Sequence, residues 1–550
     1  MTRQVFALCF LFGCLAVPVA ADHHHHAQAP DALTPPPLFE GLGTLQHPVT
    51  TAVPQAQQYF DQGLHLIYAF NHDEATRAFK EAARLDPNCA MAYWGIAVTL
   101  GPNYNLPVDA ERDRAAYEAI QKALALAPQA SEAERAYIEA IAKRHSSDPT
   151  ADRKTLDKAY ADAMREVAKR FPDDLDAATL FAESMMNLRP WGLWTHDGQP
   201  EPGTEEIVAT LESVLKRNPE HPGAMHYYIH TVEASNQPER AEPYADRLGK
   251  LTPGAGHLVH MPSHIYIRIG RYNDAAEVNA KAAAVDAAYI EKYNIQGAYR
   301  MMYYPHNIHF FWAAATLEGR SRESLQAARD FSAKLPPEMV RQMPMVEGLF
   351  PTYLFALVRF GKWQEILKQP APPADLKYST GMWHYARGWA LAATKKLDQA
   401  TAEQAKLEAI AAATPAEVRI MMNSGAALLN LASSVLAGEI AARRGQYDEA
   451  VRLLEAAVGM QDQLGYEEPP AWYYPVRQSL GAVLLKAGRM EEAEAVYRED
   501  LKRNPENGWS LYGLTQSLRL QKKQQDATAA EQRFRKAWAK ADVKLTASRF

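Results

Sequence analysis

Histidine is the residue whose placement in this sequence most strongly suggests chemistry. Outside a run of four near the start (His23–His26), fourteen histidines remain, and eight of them fall between His221 and His309. His226 and His230 stand four apart. His257, His260 and His264 follow at intervals of three and four, and His306 and His309 are three apart. On a helix those intervals place imidazoles on one face, a turn apart. Neutral imidazole is the commonest protein ligand for metals. The seven residues His226, His230, His257, His260, His264, His306 and His309 are therefore read as candidate ligands. For any one histidine alone, a bond to a buried carbonyl is the better reading, and phase is what favours ligation for the set. His226 to His260 and His230 to His264 are both steps of 34, while His257 to His306 and His260 to His309 are both steps of 49. Equivalent positions on helices packed about 8–10 Å apart can converge on an ion held about 2 Å from each nitrogen.

Carboxylates share the scheme. Glu233 follows His230 by three residues, and aligning Pro172 with Pro219 maps Glu183 onto His230 one helix earlier. Either can serve as ligand or as general acid/base. Tyr227, Tyr228, Tyr266, Tyr303 and Tyr304 are interleaved, and Tyr227, Tyr266 and Tyr304 are taken to orient ligands or line the site. Imidazoles with one or two carboxylates suit copper, zinc, iron or manganese, and the spacing leaves open one ion or two. Such an ion acts as Lewis acid, water activator or redox centre. Pro262, between His260 and His264, is expected to break that helix. His221 reads as a helix cap, and His47, His65, His72, His145, His196 and His384 lack partners at these spacings.

The elements that position these residues are helical from about Gln55 onward. Tyr59 to Pro87 is an apolar helix, an Asn71-His72-Asp73 turn, a second helix opening at Glu74-Ala75, and a close at Asp86-Pro87. The phrase returns as Tyr272-Asn273-Asp274-Ala275, Tyr447-Asp448-Glu449-Ala450 and Met490-Glu491-Glu492-Ala493, more loosely as Leu397-Asp398-Gln399-Ala400. Pro219 to Pro253, Ala241 to Ala275 and Ala493 to Ala527 are each 34 residues, a period that marks helical repeats. The chain resembles the tetratricopeptide repeat family over nearly all of this length. That resemblance implies an all-α solenoid, a right-handed and extended superhelix of about twelve helix pairs, with each first helix on the concave face. It also implies the competing function, a metal-free scaffold holding a peptide or protein in its groove. Aromatic and proline clusters at Trp94-Gly95, Arg189-Pro190-Trp191 and Glu468-Pro469-Pro470-Ala471-Trp472 read first as inter-repeat packing, and second as groove features for such a partner.

The expected organisation is a signal peptide over 1–21, a flexible His/Pro-rich tether over 22–54, the array over 55–540 and a tail over 541–550. Arg3, the apolar stretch Val5–Val19 and Val19-Ala20-Ala21 before Asp22 fit an export signal, placing the protein in the periplasm or outside the cell. Leu11-Phe12-Gly13-Cys14 is the rival lipoprotein reading. Cys9 and Cys14 leave with a cleaved signal, so Cys89 has no disulfide partner. The formal net charge of −6 over 550 residues gives no reason to expect nucleic acid, and no later unbroken apolar run predicts a stable membrane span. Phosphate loops, GxSxG elbows, CxxC pairs and the His-Glu-x-x-His helix of zincins are missing from the sequence. The His23–His26 run is expected to capture divalent metals weakly, copper above all.

Overall fold

The structure, a computed structural model, describes residues 35–550. The signal peptide and the first part of the tether lie outside the described residues. Twelve antiparallel helix pairs follow one another, from Pro54–Tyr68 with His72–Leu85 to Gly508–Leu520 with Gln524–Ala537. The chain is an all-α solenoid of tetratricopeptide-like pairs, and among the described residues the strands amount to one two-residue hairpin, Arg419–Ile420 with Asn423–Ser424.

One packing device appears near both ends of the array. A large ring on a second helix enters a gap left by glycines on the first helices to either side. Phe79 sits against Gly63 and Gly95, and Tyr497 against Gly481 and Gly513; a methyl group at any of these glycines would overlap the ring. Burying an aromatic ring between neighbours is what joins one pair to the next. The Gly425–Arg443 helix is long and apolar enough to cross a membrane by length and composition, but 67% of its apolar window is buried inside the array.

Two features depart from the expected extended superhelix with loose ends. The coil winds tightly enough for late repeats to touch the middle ones. Trp509 Nε1 donates to Thr316 O at 3.1 Å, Gly270 packs on Pro505, and the Arg268 guanidinium lies 5.5 Å from the Tyr466 ring centre. The end segments are docked: Ser548 Oγ donates to Gln478 O at 2.6 Å, and Arg549 pairs with buried Glu439 at 2.7 Å.

Residues 35–53 correct the reading of a flexible tether up to 54. They form a strap laid across the first repeats. Tyr59 O–H donates to Pro36 O at 2.8 Å, Phe39 N–H donates to Gln62 Oε1 at 2.7 Å, and Gly254 N–H donates to Gly41 O at 2.8 Å. His47 Nδ1 pairs with Asp176 at 2.8 Å, and Thr50 donates twice to the Glu134 carboxylate, at 2.5 Å each. Proline-rich composition suggested disorder, but prolines cost little to fix in a strap whose carbonyls, free N–H groups and side chains dock on the repeats. Glu134 also closes a capping box with Ser131. Glu134→Ala is expected to cost about 2 kcal/mol through lost cap and strap bonds. It should open residues 38–49 to thermolysin, read as faster cleavage at the strap.

Candidate metal centre

The helix Pro222–Val232 starts with His221 as its cap: His221 Nδ1 accepts from Ala224 N–H at 3.2 Å, and Nε2 faces Asp176 at 3.2 Å. His226 and His230 then lie one turn apart on a fully buried helix. The next first helix is interrupted as Pro262 requires, into Gly256–His260 and Pro262–Arg268, although Met261 between them keeps helical dihedrals (φ −50°, ψ −36°). It carries His257, His260 and His264. A π-turn over Tyr299–Tyr303 precedes the third, Tyr304–Leu317, which carries His306 and His309. Such turns gather at functional sites.

Six of the seven predicted histidines meet in two groups of three. His226, His230 and His257 form one, His260, His264 and His306 the other, and within each group the candidate ligand atoms lie within 4.8 Å of one another. The groups are copies of one design. Each takes an i, i+4 pair from one helix and a single imidazole from the next, so His226, His230 and His257 correspond to His260, His264 and His306 at the offsets read from the sequence. Glu233 joins them. Its two oxygens accept from His230 Nδ1 at 3.0 Å and His264 Nδ1 at 2.5 Å.

Hydrogen bonding fixes which nitrogen is free. His226 Nδ1 donates to Tyr68 O at 2.6 Å, and Tyr68 is itself held by its hydroxyl on Asp176 at 2.6 Å. Asn279 Nδ2 donates to Ala275 O at 2.7 Å, which turns its Oδ1 to accept from His260 Nδ1 at 2.6 Å. With Nδ1 protonated in all four cases, each Nε2 presents a lone pair. Nε2 of His226 and His230 and both ring nitrogens of His257 are buried with no hydrogen-bond partner. His260 Nε2 and His264 Nε2 stand 2.7 Å apart, two lone pairs facing each other, an arrangement that calls for a cation at that point, a proton or a metal ion. Anchoring Nδ1 on a carboxylate or carbonyl while Nε2 stays open is how metal-binding imidazoles are oriented.

Burial sets the charge state. It pushes His226, His257, His260 and His306 well below the usual 6.5, helped by the neighbouring imidazoles, and lowers His264 despite the adjacent Glu233. Burial alone would raise Glu233, but His264 and His230 reverse this and hold it ionised. Neutral imidazoles and one carboxylate are the protonation states that ligate metals.

The other sequence candidates lie apart. His309 is stacked on Trp312 and Phe331, with ring centres 5.0 and 4.7 Å away. One turn beyond it stands Ala313, so its repeat offers no pair. Glu183 accepts from Asn187 Nδ2 at 2.5 Å, outside both groups. Tyr266 donates to Asp246 at 2.7 Å, and Tyr304 lies under Lys334, whose Nζ is 4.8 Å from the ring centre. Tyr227 alone of the three tyrosines touches the site, 5.5 Å from His226 between ring centres. His47, set aside in the sequence, has candidate ligand atoms within 4.8 Å of Asp174 and Asp176. Those carboxylates are already engaged by Tyr137 and by Tyr68 and His221, so this group serves as the strap's clasp.

Four residues escaped the sequence reading: Asn279, Glu468, Phe70 and Phe310. Glu468 arrives from a distant repeat to touch His264 Nδ1, and burial and Glu233 push its carboxyl well above the ordinary range. It belongs to the Glu-Pro-Pro-Ala-Trp cluster, which was a visible signal read as packing. Phe70 lies 4.4, 5.7 and 5.6 Å from His226, His230 and His257 between ring centres, and Phe310 lies 4.8, 4.6 and 4.9 Å from His260, His264 and His306.

Comparison with known proteins agrees with the repeat architecture. Residues 477–508 match the tetratricopeptide repeat model. No curated protein matches the chain in sequence. Among solved structures, the human IFIT1 dimer with m7Gppp-AAAA is similar at 12% identity, over 89% of this chain and 92% of that one, with a TM-score of 0.34. Yeast Tom70 is similar at 12% identity over 88% and 90%, TM-score 0.27, and a chain of the APC/C hetero-tetramer Cut9-Hcn1 at 12% over 84% and 76%, TM-score 0.31. At that level the likeness carries no argument about the site. The class that the helix pairs define is a tetratricopeptide-type solenoid.

The buried imidazoles make stability depend on pH. His226, His257, His260, His264, His306 and His309 are held by burial below the 6.5 at which they titrate when unfolded, so below 6.5 the unfolded chain binds more protons and stability falls with falling pH. Each contributes a slope of about 1.4 kcal/mol per pH unit until its folded value is reached. Urea midpoints of metal-free protein should fall steadily from pH 6.5 to 5. His309→Phe, which removes one imidazole whose burial holds it at about 3, should flatten that slope by about one histidine's share.

Proposed function

We propose that this is an exported metalloprotein holding two transition-metal ions side by side, one in each three-histidine group, with Glu233 between them. The observation that carries the reading is the gathering of imidazoles in threes, with buried nitrogens of His226, His230 and His257 left without partners in one group and the His260 and His264 Nε2 atoms facing each other in the other. A buried, unpaired acceptor costs about 1–3 kcal/mol, and a bound ion removes that cost at several positions together. Imidazole donors without thiolate suit copper, zinc or iron, and the His23–His26 run favours copper as the ion it would capture. The paired ions support Lewis-acid or redox chemistry, with Glu233 next to them as the candidate acid/base. Export rests on the first 21 residues alone.

The scaffold reading keeps one observation of its own. The chain's Ser548-Arg549-Phe550 segment is seated among the last repeats, with Arg549 on Glu439 and the Phe550 ring 5.8 Å from that of Trp509. This is how a groove of this class would take a peptide or protein partner.

Elemental analysis tests the first reading, on protein with His23–His26 replaced by serine. Two ions per chain are expected. His257→Ala and His264→Ala should each lose at least one, and Asn279→Leu should weaken binding about 10–100-fold by releasing His260. Metal-free protein after growth with copper, zinc and iron would leave the scaffold reading standing.

A further inference from the structure

Phe70 has a backbone that its side chain does not favour. It is the second residue after the Pro54–Tyr68 helix, in the turn to His72–Leu85, with φ 54°. Seven other pairs place a left-handed residue at the same point of the turn: Gly270, Gly319, Gly361, Gly445 and Gly488, and the flexible Lys395 and Lys522. Left-handed φ is strained for a bulky residue and free for glycine, and strain of this kind persists where function over-determines it. Phe70 is 2% exposed, and its ring is stacked on His230 and His257 and tilted on His226. Tyr303 closes on His257 at 4.8 Å, and Tyr104 and Trp191 close on His230 at 5.5 and 5.8 Å between ring centres. The first histidine group therefore sits inside an aromatic shell with two left-handed members, Phe70 and Trp191 (φ 60°), and of these Phe70 alone touches all three imidazoles.

Resting on the reading of a metal centre, we propose that Phe70 is a gate that restricts the first ion to a small uncharged ligand, of the size of dioxygen or carbon monoxide. A phenyl ring offers no donor to replace the hydration of an anion, so an anion entering this shell bears its desolvation cost uncompensated. A diatomic gas carries no such cost and passes between rings. Peptides and sugars are too large to reach imidazoles that are 0–3% exposed.

The test uses the full-length protein and its Phe70→Gly variant, a substitution that supplies the residue most common at the equivalent turns. Both are loaded with copper and counted for metal. The copper(I) forms are then titrated with carbon monoxide, followed by its infrared stretch, and the copper(II) forms with azide, followed by its charge-transfer band. Wild type should bind carbon monoxide and bind azide weakly. The variant should keep its copper and its carbon monoxide affinity while azide affinity rises about tenfold or more. Equal azide affinity in the two proteins overturns the gate, as does loss of copper from the variant, which would make Phe70 a structural support. A wild type that takes up no copper fails at the loading step, before any ligand is added, and that result counts against copper at the centre and not against the gate's geometry.

Discussion

Dehydration of five imidazoles, with His306 half-buried beside them, is the constraint around which the middle of this molecule is arranged. An imidazole in water bonds through both nitrogens; in the interior of a helical array most backbone acceptors are already used. The chain supplies one acceptor for each of four rings, namely Tyr68 O, Asn279 Oδ1 and the two oxygens of Glu233. It supplies none for the opposite nitrogens of His226 and His230. A sequence selected for helix stability alone would place leucine or alanine at these core positions. The arrangement makes these unpaired nitrogens a source of instability, and a cation bound by the native state alone would add directly to its stability.

Superhelical winding gives that local arrangement a global reach. In a solenoid each repeat contacts mainly its neighbours, and stability is close to a sum of local terms. Here Glu468 touches His264 from a chain distance of about two hundred residues, and the strap joins Gly41 to Gly254, three residues before His257. The Asp176 carboxylate joins His47 of the strap to Tyr68, whose carbonyl orients His226. The site is therefore the place where the first, middle and late repeats are held in one geometry, a role an ordinary repeat array does not give to any single position.

Phase made the centre legible in the sequence. A period of 34 fixed the equivalence of His226 with His260 and of His230 with His264, and a longer step fixed that of His257 with His306, so the two groups of three follow from arithmetic on a helical repeat. His309 satisfied the same arithmetic but not the chemistry, because a group needs an i, i+4 pair and Ala313 stands where its partner would be. Residues that arrive from outside the repeat could not be placed by period. Glu468 depends on how tightly the superhelix winds, and Phe70 on a turn whose dihedral is invisible in sequence. The strap was misread for a related reason: many of its bonds run through backbone N–H and carbonyl groups, which composition does not display.

Equivalence by repeat does not make the two groups alike in their surroundings. The first is enclosed by rings, and its contact with the carboxylate is through His230 alone. The second has His264 against Glu233 and also against Glu468, whose carboxyl is pushed toward the neutral form by burial and Glu233, and His306 only partly buried. Polar groups and partial access to water stabilise a cation and favour its higher charge, whereas a dry apolar shell favours the lower. Two ions held in these groups would differ in affinity and in preferred charge even with identical ligands. The asymmetry comes from what the neighbouring repeats bring to each group, and a duplicated ligand set on a solenoid can in this way acquire two unequal halves without any change in the ligands themselves.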